Sequence, residues 1–160
     1  MTTPALSTSV RRATARDVPA LTELVNAAFA IEAFFCDGDR TTEAELAAMM
    51  DDGVFLVVDY AGGLAGAVYV EHRGYFGMLS VAPALQGHGL GKRLVRIAEA
   101  VCEAGGCATM SIQIINVREE LSRWYRSLGY RETGVRPYTH ASRTVKQPVH
   151  FVDMQRSLAA

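Results

Sequence analysis

Residues 79–92 read Leu79-Ser80-Val81-Ala82-Pro83-Ala84-Leu85-Gln86-Gly87-His88-Gly89-Leu90-Gly91-Lys92, and this stretch decides how the chain is built. The apolar run over 76–81 predicts a strand that Pro83 ends, because proline cannot donate to a ladder. From about residue 89 to 104, Leu90, Leu94, Ile97, Ala98 and Val101 recur at helical spacing. Lys92, Arg93, Arg96, Glu99 and Glu103 are expected on the other side of that helix, and Gly105-Gly106 stops it. Between strand and helix lie three alternate glycines. A helix N-terminus offers unpaired N–H groups and a partial positive charge, and glycines let such a backbone approach an anion closely. Lys92 and Arg93 oppose the helix dipole at this end, a conflict that a bound phosphate resolves. The alternative is a tight strand–helix turn without a ligand.

Outward from this unit the periods alternate. A short β-segment over 9–14 precedes a helix from about Asp17, with Leu21, Leu24, Val25, Ala28 and Phe29 as its stripe. Thr42 and Glu45 read as a capping box for a second helix. Strands are predicted over 54–59 and 64–71, joined by the turn Ala61-Gly62-Gly63. On the C-terminal side, 107–115 alternates, with Met110, Ile112 and Ile114 on one face. Asn116, with Glu119 three residues on, reads as the N-cap of a short helix containing Leu121, Trp124, Tyr125 and Leu128. Terminal strands near 130–133 and 149–156 are joined by the polar loop 135–148. This order predicts an α+β, or mixed α/β, protein forming one domain over residues 1–160.

Two phosphate motifs fail on spacing. A P-loop needs glycine at 86, which is Gln, and the dinucleotide fingerprint needs glycine at 92, which is Lys. Gln86-Gly87-His88-Gly89-Leu90-Gly91 instead resembles, at every specified position, the pyrophosphate loop Q/R-x-x-G-x-G/A of the GNAT superfamily of acetyl-CoA-dependent N-acetyltransferases. Leu79-Ser80-Val81-Ala82-Pro83 is similar to the strand that precedes that loop. Asn116, followed by Trp124-Tyr125-Arg126-Ser127-Leu128-Gly129-Tyr130, resembles the closing motif, and Phe151-Val152-Asp153-Met154 resembles the last strand.

The resemblance implies a mostly antiparallel, splayed central sheet flanked by helices, with acetyl-CoA as acyl donor. Backbone groups of Leu79 and Val81, with Ser80 between them, would pair with the pantetheine arm in a gap between strands 76–81 and 107–115. Gln86, Gly87, His88, Gly89, Leu90, Gly91 and Lys92 would hold the pyrophosphate, and Asn116 would contact pantetheine. Tyr125 would stand beside the thioester sulfur as general acid, and a backbone N–H near Leu79 would meet the oxyanion. Many members carry a general-base Glu two positions before Leu79, which is Gly77 here. Glu71 and His72 are the substitute candidates, against a plain hairpin end. The alternative for Tyr125 is a core position on the stripe with Leu121 and Leu128, and for Asn116 a cap only.

Charge is unevenly spread. Residues 1–80 hold 5 Lys/Arg and 11 Asp/Glu, while residues 81–160 hold 11 and 6, for a net charge of −1. That net argues against a nucleic-acid partner. The split suits either a bipolar molecule, basic toward the cofactor and acidic toward a cationic substrate, or a chance surface distribution. Glu32, Asp37 and Asp39, in the segment where the family builds its acceptor wall, favour a cationic amine, with loop solvation as the alternative. Cys36, Cys102 and Cys107 form neither a CxxC pair nor an even set, so no metal or disulfide framework is expected. The polar start and the lack of membrane-length apolar runs predict no membrane association and a cytoplasmic monomer or homodimer. The reading is an N-acetyltransferase for a small-molecule primary amine. Its rivals are an acyl-CoA-binding sensor without transfer and a protein N-terminal or lysine acetyltransferase.

Overall fold

The strand, glycine turn and helix around residue 86 hold in three dimensions. The structure, a computed structural model, describes residues 9–140 and 143–158. The strands are β1 (Arg11–Arg12), β2 (Cys36–Asp37), β3 (Val54–Tyr60), β4 (Gly63–Glu71), β5 (Tyr75–Val81), β6 (Thr109–Ile115), β7 (Arg131–Pro137), β8 (Thr144–Val145) and β9 (His150–Ser157). The helices are α1 (Val18–Phe29), α2 (Glu43–Asp52), α3 (Leu90–Ala104) and α4 (Glu119–Ser127). A seven-stranded sheet runs β1-β3-β4-β5-β6-β9-β7, antiparallel at every step except the parallel pair β5–β6. This is the mixed, mostly antiparallel sheet expected.

Both faces of the sheet are covered, and the sequence shows why. Ala65 to Val70 in β4 are all buried, without alternation, because helices pack on each side. On one face Leu90, Leu94, Val95, Ala98 and Cys102 of α3 meet Val68, Val70, Phe76 and Met110. On the other, Leu21, Leu24 and Val25 of α1 and Leu46 of α2 meet Phe55, Val57, Ala67 and Tyr69. The capping box forms as read: Glu45 N donates to Thr42 Oγ1 at 3.2 Å, and Thr42 N donates to Glu45 Oε2 at 3.3 Å.

Three local expectations are corrected. Asn116 is not the cap of α4; Arg118 holds that position, and the Asn116 side-chain oxygen accepts from His150 N at 2.8 Å, pinning β9. Glu99, expected on the solvent side of α3, is 4% exposed. It accepts from Arg96 Nη1 at 2.7 Å, Tyr130 Oη at 2.7 Å and Arg156 Nη1 at 3.0 Å. The loop over 135–148 is not featureless: β7 runs to Pro137, and β8 pairs with β2 in a second, two-stranded sheet.

Two irregularities open the sheet. β5 and β6 share the single register pair Tyr75↔Ser111, with Ser111 N donating to Gly74 O at 2.7 Å, and part beyond it. Between β4 and β5 the register jumps from Ala67↔Ser80 to Tyr69↔Gly77, so Met78 and Leu79 stand opposite Val68 alone. Met78 takes φ +51°, left-handed backbone that costs a non-glycine residue about 1–3 kcal/mol. Such a bulge leaves an extra residue unpaired and bends the strand, here at the edge of the gap.

Candidate active site

A cavity of about 560 Å³ fills the gap between β5 and β6. Leu79 and Val81 line one wall, residues 112–115 the other, and Leu121, Trp124 and Tyr125 of α4 close the apolar side. Gly87, Gly89, Gly91 and Lys92 border one end, and Phe29, Glu32, Arg40 and Tyr75 the other. The two ends are separated by the length of β5, roughly 20 Å for six steps of a strand.

The glycine end is a cradle. Gly87 and Gly89 take φ +84° and +81°, where side chains are strained, and a Cβ at either would meet no protein atom within 4 Å. Gly89 is the N-cap of α3, and no acidic side chain occupies the first turn of that helix. Gln86 Nε2 donates to Val81 O at 3.2 Å and closes the loop onto the strand end. Exposed backbone, a fifteen-residue helix aligned behind it and the Lys92 ammonium at the rim suit a pyrophosphate. Gly91 has a different use, since a Cβ there would touch Trp124 at 3.6 Å and Val81 at 3.8 Å, ordinary contacts. It seats α3 beside α4.

Tyr125 is 6% exposed, yet it reaches the cavity. Its ring packs 4.8 Å from Trp124, 5.7 Å from Tyr130 and 6.0 Å from Phe76. Burial pushes the phenol well above its usual value, so it stays protonated at neutral pH. Among the described residues its hydroxyl makes no hydrogen bond.

Of the residues singled out from sequence, Leu79, Val81, Gln86, Gly87, Gly89, Leu90, Gly91, Lys92 and Tyr125 come together at this cavity. Four do not. Ser80 is buried, its hydroxyl donating to Met78 O at 2.9 Å, because it faces the opposite side of the strand from Leu79 and Val81. His88 is exposed at the loop tip, and Asn116 is engaged with β9. Glu71 lines a separate depression with Met49, Asp52 and Arg136, where its carboxylate pairs with Arg73. His72 is exposed in the hairpin turn. Neither base candidate joins Tyr125.

The acceptor wall is also different from the one expected. Glu32 is 2% exposed and bound by Arg118 and Arg143, and Asp37 pairs with Lys146 at 3.1 Å. Asp39 is exposed and outside the cavity. In their place stand Arg40 and Tyr75, which sequence reasoning missed. A Cβ on Gly77 would lie 2.7 Å from the Tyr75 hydroxyl, so Tyr75 occupies the room a side chain at 77 would need. The signal was the aromatic one residue before the predicted strand. Trp124, placed from sequence only within the short helix, is half-buried and lines the cavity.

Among the described residues no helix is long and apolar enough to cross a membrane, and no group of three or more His, Cys, Asp or Glu could hold a metal. Comparison with known proteins gives no match among curated sequences. Solved structures do match in fold. The ribosomal-protein-S18-alanine N-acetyltransferase of Escherichia coli superposes with a TM-score of 0.77 at 17% identity, over 95% of this chain and 94% of that one. A protein from Salmonella typhimurium, solved with its cofactor acetyl-CoA, gives 0.72 at 21% identity over 94% of each chain. The IAA acetyltransferase of Bacillus cereus gives 0.70 at 16%, over 93% and 98%. The family described as the acetyltransferase (GNAT) domain matches residues 26–158, a span that takes in the glycine cradle, the parted strands and Tyr125. The chain therefore belongs to the GNAT acetyltransferases, enzymes that draw their acyl group from acetyl-CoA.

Proposed function

We propose that this cavity transfers acetyl from acetyl-CoA directly to a primary amine, with Tyr125 supplying the proton taken up by the departing sulfur. The observation that carries this reading is a buried, protonated phenol with no hydrogen bond among the described residues, in the same cavity as a cradle suited to pyrophosphate. When bound, acetyl-CoA supplies an activated thioester. The protein's own residues do the rest. Gly87, Gly89 and the first turn of α3 anchor the phosphates, and the parted edge at Leu79 and Val81 receives the arm as an added strand.

An alkyl ammonium has a pKa near about 10.4, so the acceptor must lose a proton before it attacks. Gly77 offers no side chain and Glu71 lies elsewhere, which leaves water in the open cleft as the route to solvent. The C–N bond forms as the amine adds to the thioester carbon, and the C–S bond breaks when that adduct collapses, the excess proton on nitrogen leaving to the same cleft water. Negative charge on the carbonyl oxygen is met by backbone N–H at the Met78–Leu79 bulge, and the sulfur takes the Tyr125 proton, which solvent restores. No acyl-enzyme is formed on a thiol. Cys102 Sγ donates to Glu71 O at 3.4 Å, Cys107 Sγ to His72 O at 2.8 Å and Cys36 Sγ to Asp37 O at 3.7 Å, all outside the cavity.

The test is Tyr125→Phe, which keeps the ring and its packing. Acetyl-CoA should bind as before while kcat for thiol release falls by about 10²–10⁴, the usual worth of a positioned proton donor. A kcat within threefold of wild type assigns Tyr125 to the core alone.

A further inference from the structure

The end of the cavity away from the glycine cradle is electrostatically unbalanced. Both oxygens of Glu32 are engaged: Arg143 Nη1 donates to Oε1 at 2.8 Å and Arg118 Nη1 to Oε2 at 3.3 Å. Arg118 Nε donates in turn to Glu120 Oε1 at 2.8 Å. Three guanidiniums, those of Arg40, Arg118 and Arg143, thus meet two carboxylates. Arg40 is the one with no carboxylate within 4 Å among the described residues.

What surrounds Arg40 is neutral or already engaged. Its Nη1 lies 3.4 Å from His140 Nε2, and its guanidinium sits 5.3 Å over the Phe29 ring. Burial, with Arg40 and Arg143 close by, pulls the His140 pKa down, so His140 carries no charge at neutral pH. Arg40 is largely withdrawn from water, which lowers its own pKa, with Glu32 the chief opposing influence. A desolvated guanidinium lacking a counter-ion is costly, and it borders the cavity. The phosphates of acetyl-CoA do not supply that counter-ion, because the cradle that receives them is the length of β5 away. Position 77, where a carboxylate could have held a cationic amine, has no side chain and no room for one beside Tyr75.

We propose that Arg40 receives a carboxylate of the acceptor, so that the amine acetylated is that of an amino acid and not of a polyamine. The planar guanidinium takes a carboxylate in two parallel hydrogen bonds, which orients the acceptor as well as holding it. Its amine then points along β5, past Tyr75 and Gly77, toward the bulge at Met78 and Leu79. This inference rests on the acetyl-transfer reading above, and it reverses the cationic preference that the acidic residues of this segment suggested.

The experiment is thiol release from acetyl-CoA with each of the common L-amino acids, its carboxamide and its decarboxylated amine, with putrescine and spermidine alongside. At least one free acid should exceed its carboxamide and its amine by about 30-fold or more in kcat/KM, the least expected for losing one partner of a buried charged pair. For that acid Arg40→Gln should raise KM by a similar factor and leave the acetyl-CoA affinity measured by calorimetry unchanged, while Arg40→Lys recovers part of the loss. Turnover favouring the polyamines or the decarboxylated amines overturns the proposal. So does a wild-type protein that binds acetyl-CoA and accepts no free acid, or a KM within threefold in Arg40→Gln. Should Arg40→Gln fail to fold, the wild-type panel still decides. Absence of acetyl-CoA binding in wild type defeats the acetyl-transfer reading itself.

Discussion

Glu32 is bound by residues 86 and 111 positions further along the chain, and that separation explains why its role could not be read locally. In sequence it is one of three acids in a connecting segment. In the fold it is the anion that neutralises Arg118 and Arg143, its side chain 3% exposed against 11% and 2%. Removing one partner of a buried pair strands the other, at a cost of about 3–5 kcal/mol. Glu32→Gln, nearly isosteric, should therefore lower the melting temperature by roughly 6–20 °C, at about 2–4 °C per kcal/mol for a chain of this length. A thermal melt within 2 °C of wild type would show that the carboxylate is not the keystone of this end. The same distance hid Arg40. A lone arginine before a capping box looks like surface until the carboxylates around it are seen to be engaged.

At the scale of elements, the strand–turn–helix unit was legible because its signals are local. Pro83, Gly87, Gly89 and the α3 stripe each fix the backbone within a few residues. The glycines divide the work in a way that spacing alone cannot reveal. Gly89 needs its left-handed φ and faces open space, whereas Gly91 packs against Trp124 with room for a methyl. Gly89→Ala should cost about 1–2 kcal/mol and weaken acetyl-CoA binding, while Gly91→Ala should melt within a few degrees of wild type. Melting curves and acetyl-CoA calorimetry on both variants separate the two; equal loss in both would mean the loop acts as one unit. The Asn116 cap was misread because a residue fit to cap a helix also fits a strand end, and here His150 N claims its oxygen. β2 and β8 escaped notice altogether. Two residues show no period, and their partners lie over 100 positions apart.

For the molecule as a whole, the opposite charges of the two halves of the sequence find a partial physical explanation. They interlock where Glu32 of the acidic half meets Arg118 and Arg143 of the basic half, and where Asp37 meets Lys146. The layer order followed from the alternation of periods, and the family from motif order along the chain. The shape of the acceptor end did not, because it is assembled from four separated stretches around Phe29, Arg40, Tyr75 and Arg118.

The single rung between β5 and β6 has a consequence for how the protein breathes. Four strands on one side and three on the other are joined in the ladder only at Tyr75 and Ser111. Amides bordering the parted edges should therefore exchange with deuterium through small local openings, well before the β3–β4 hairpin does. A ligand at one hundred times its Kd stabilises by about 2.7 kcal/mol, and one that bridges the parted edges closes these openings. Deuterium uptake at saturating acetyl-CoA should slow most at Leu79, at Val81 and over 87–92, beyond any slowing in the hairpin. Equal slowing everywhere would mean that the two sides already open as one body, and that the seam is a feature of shape and not of motion.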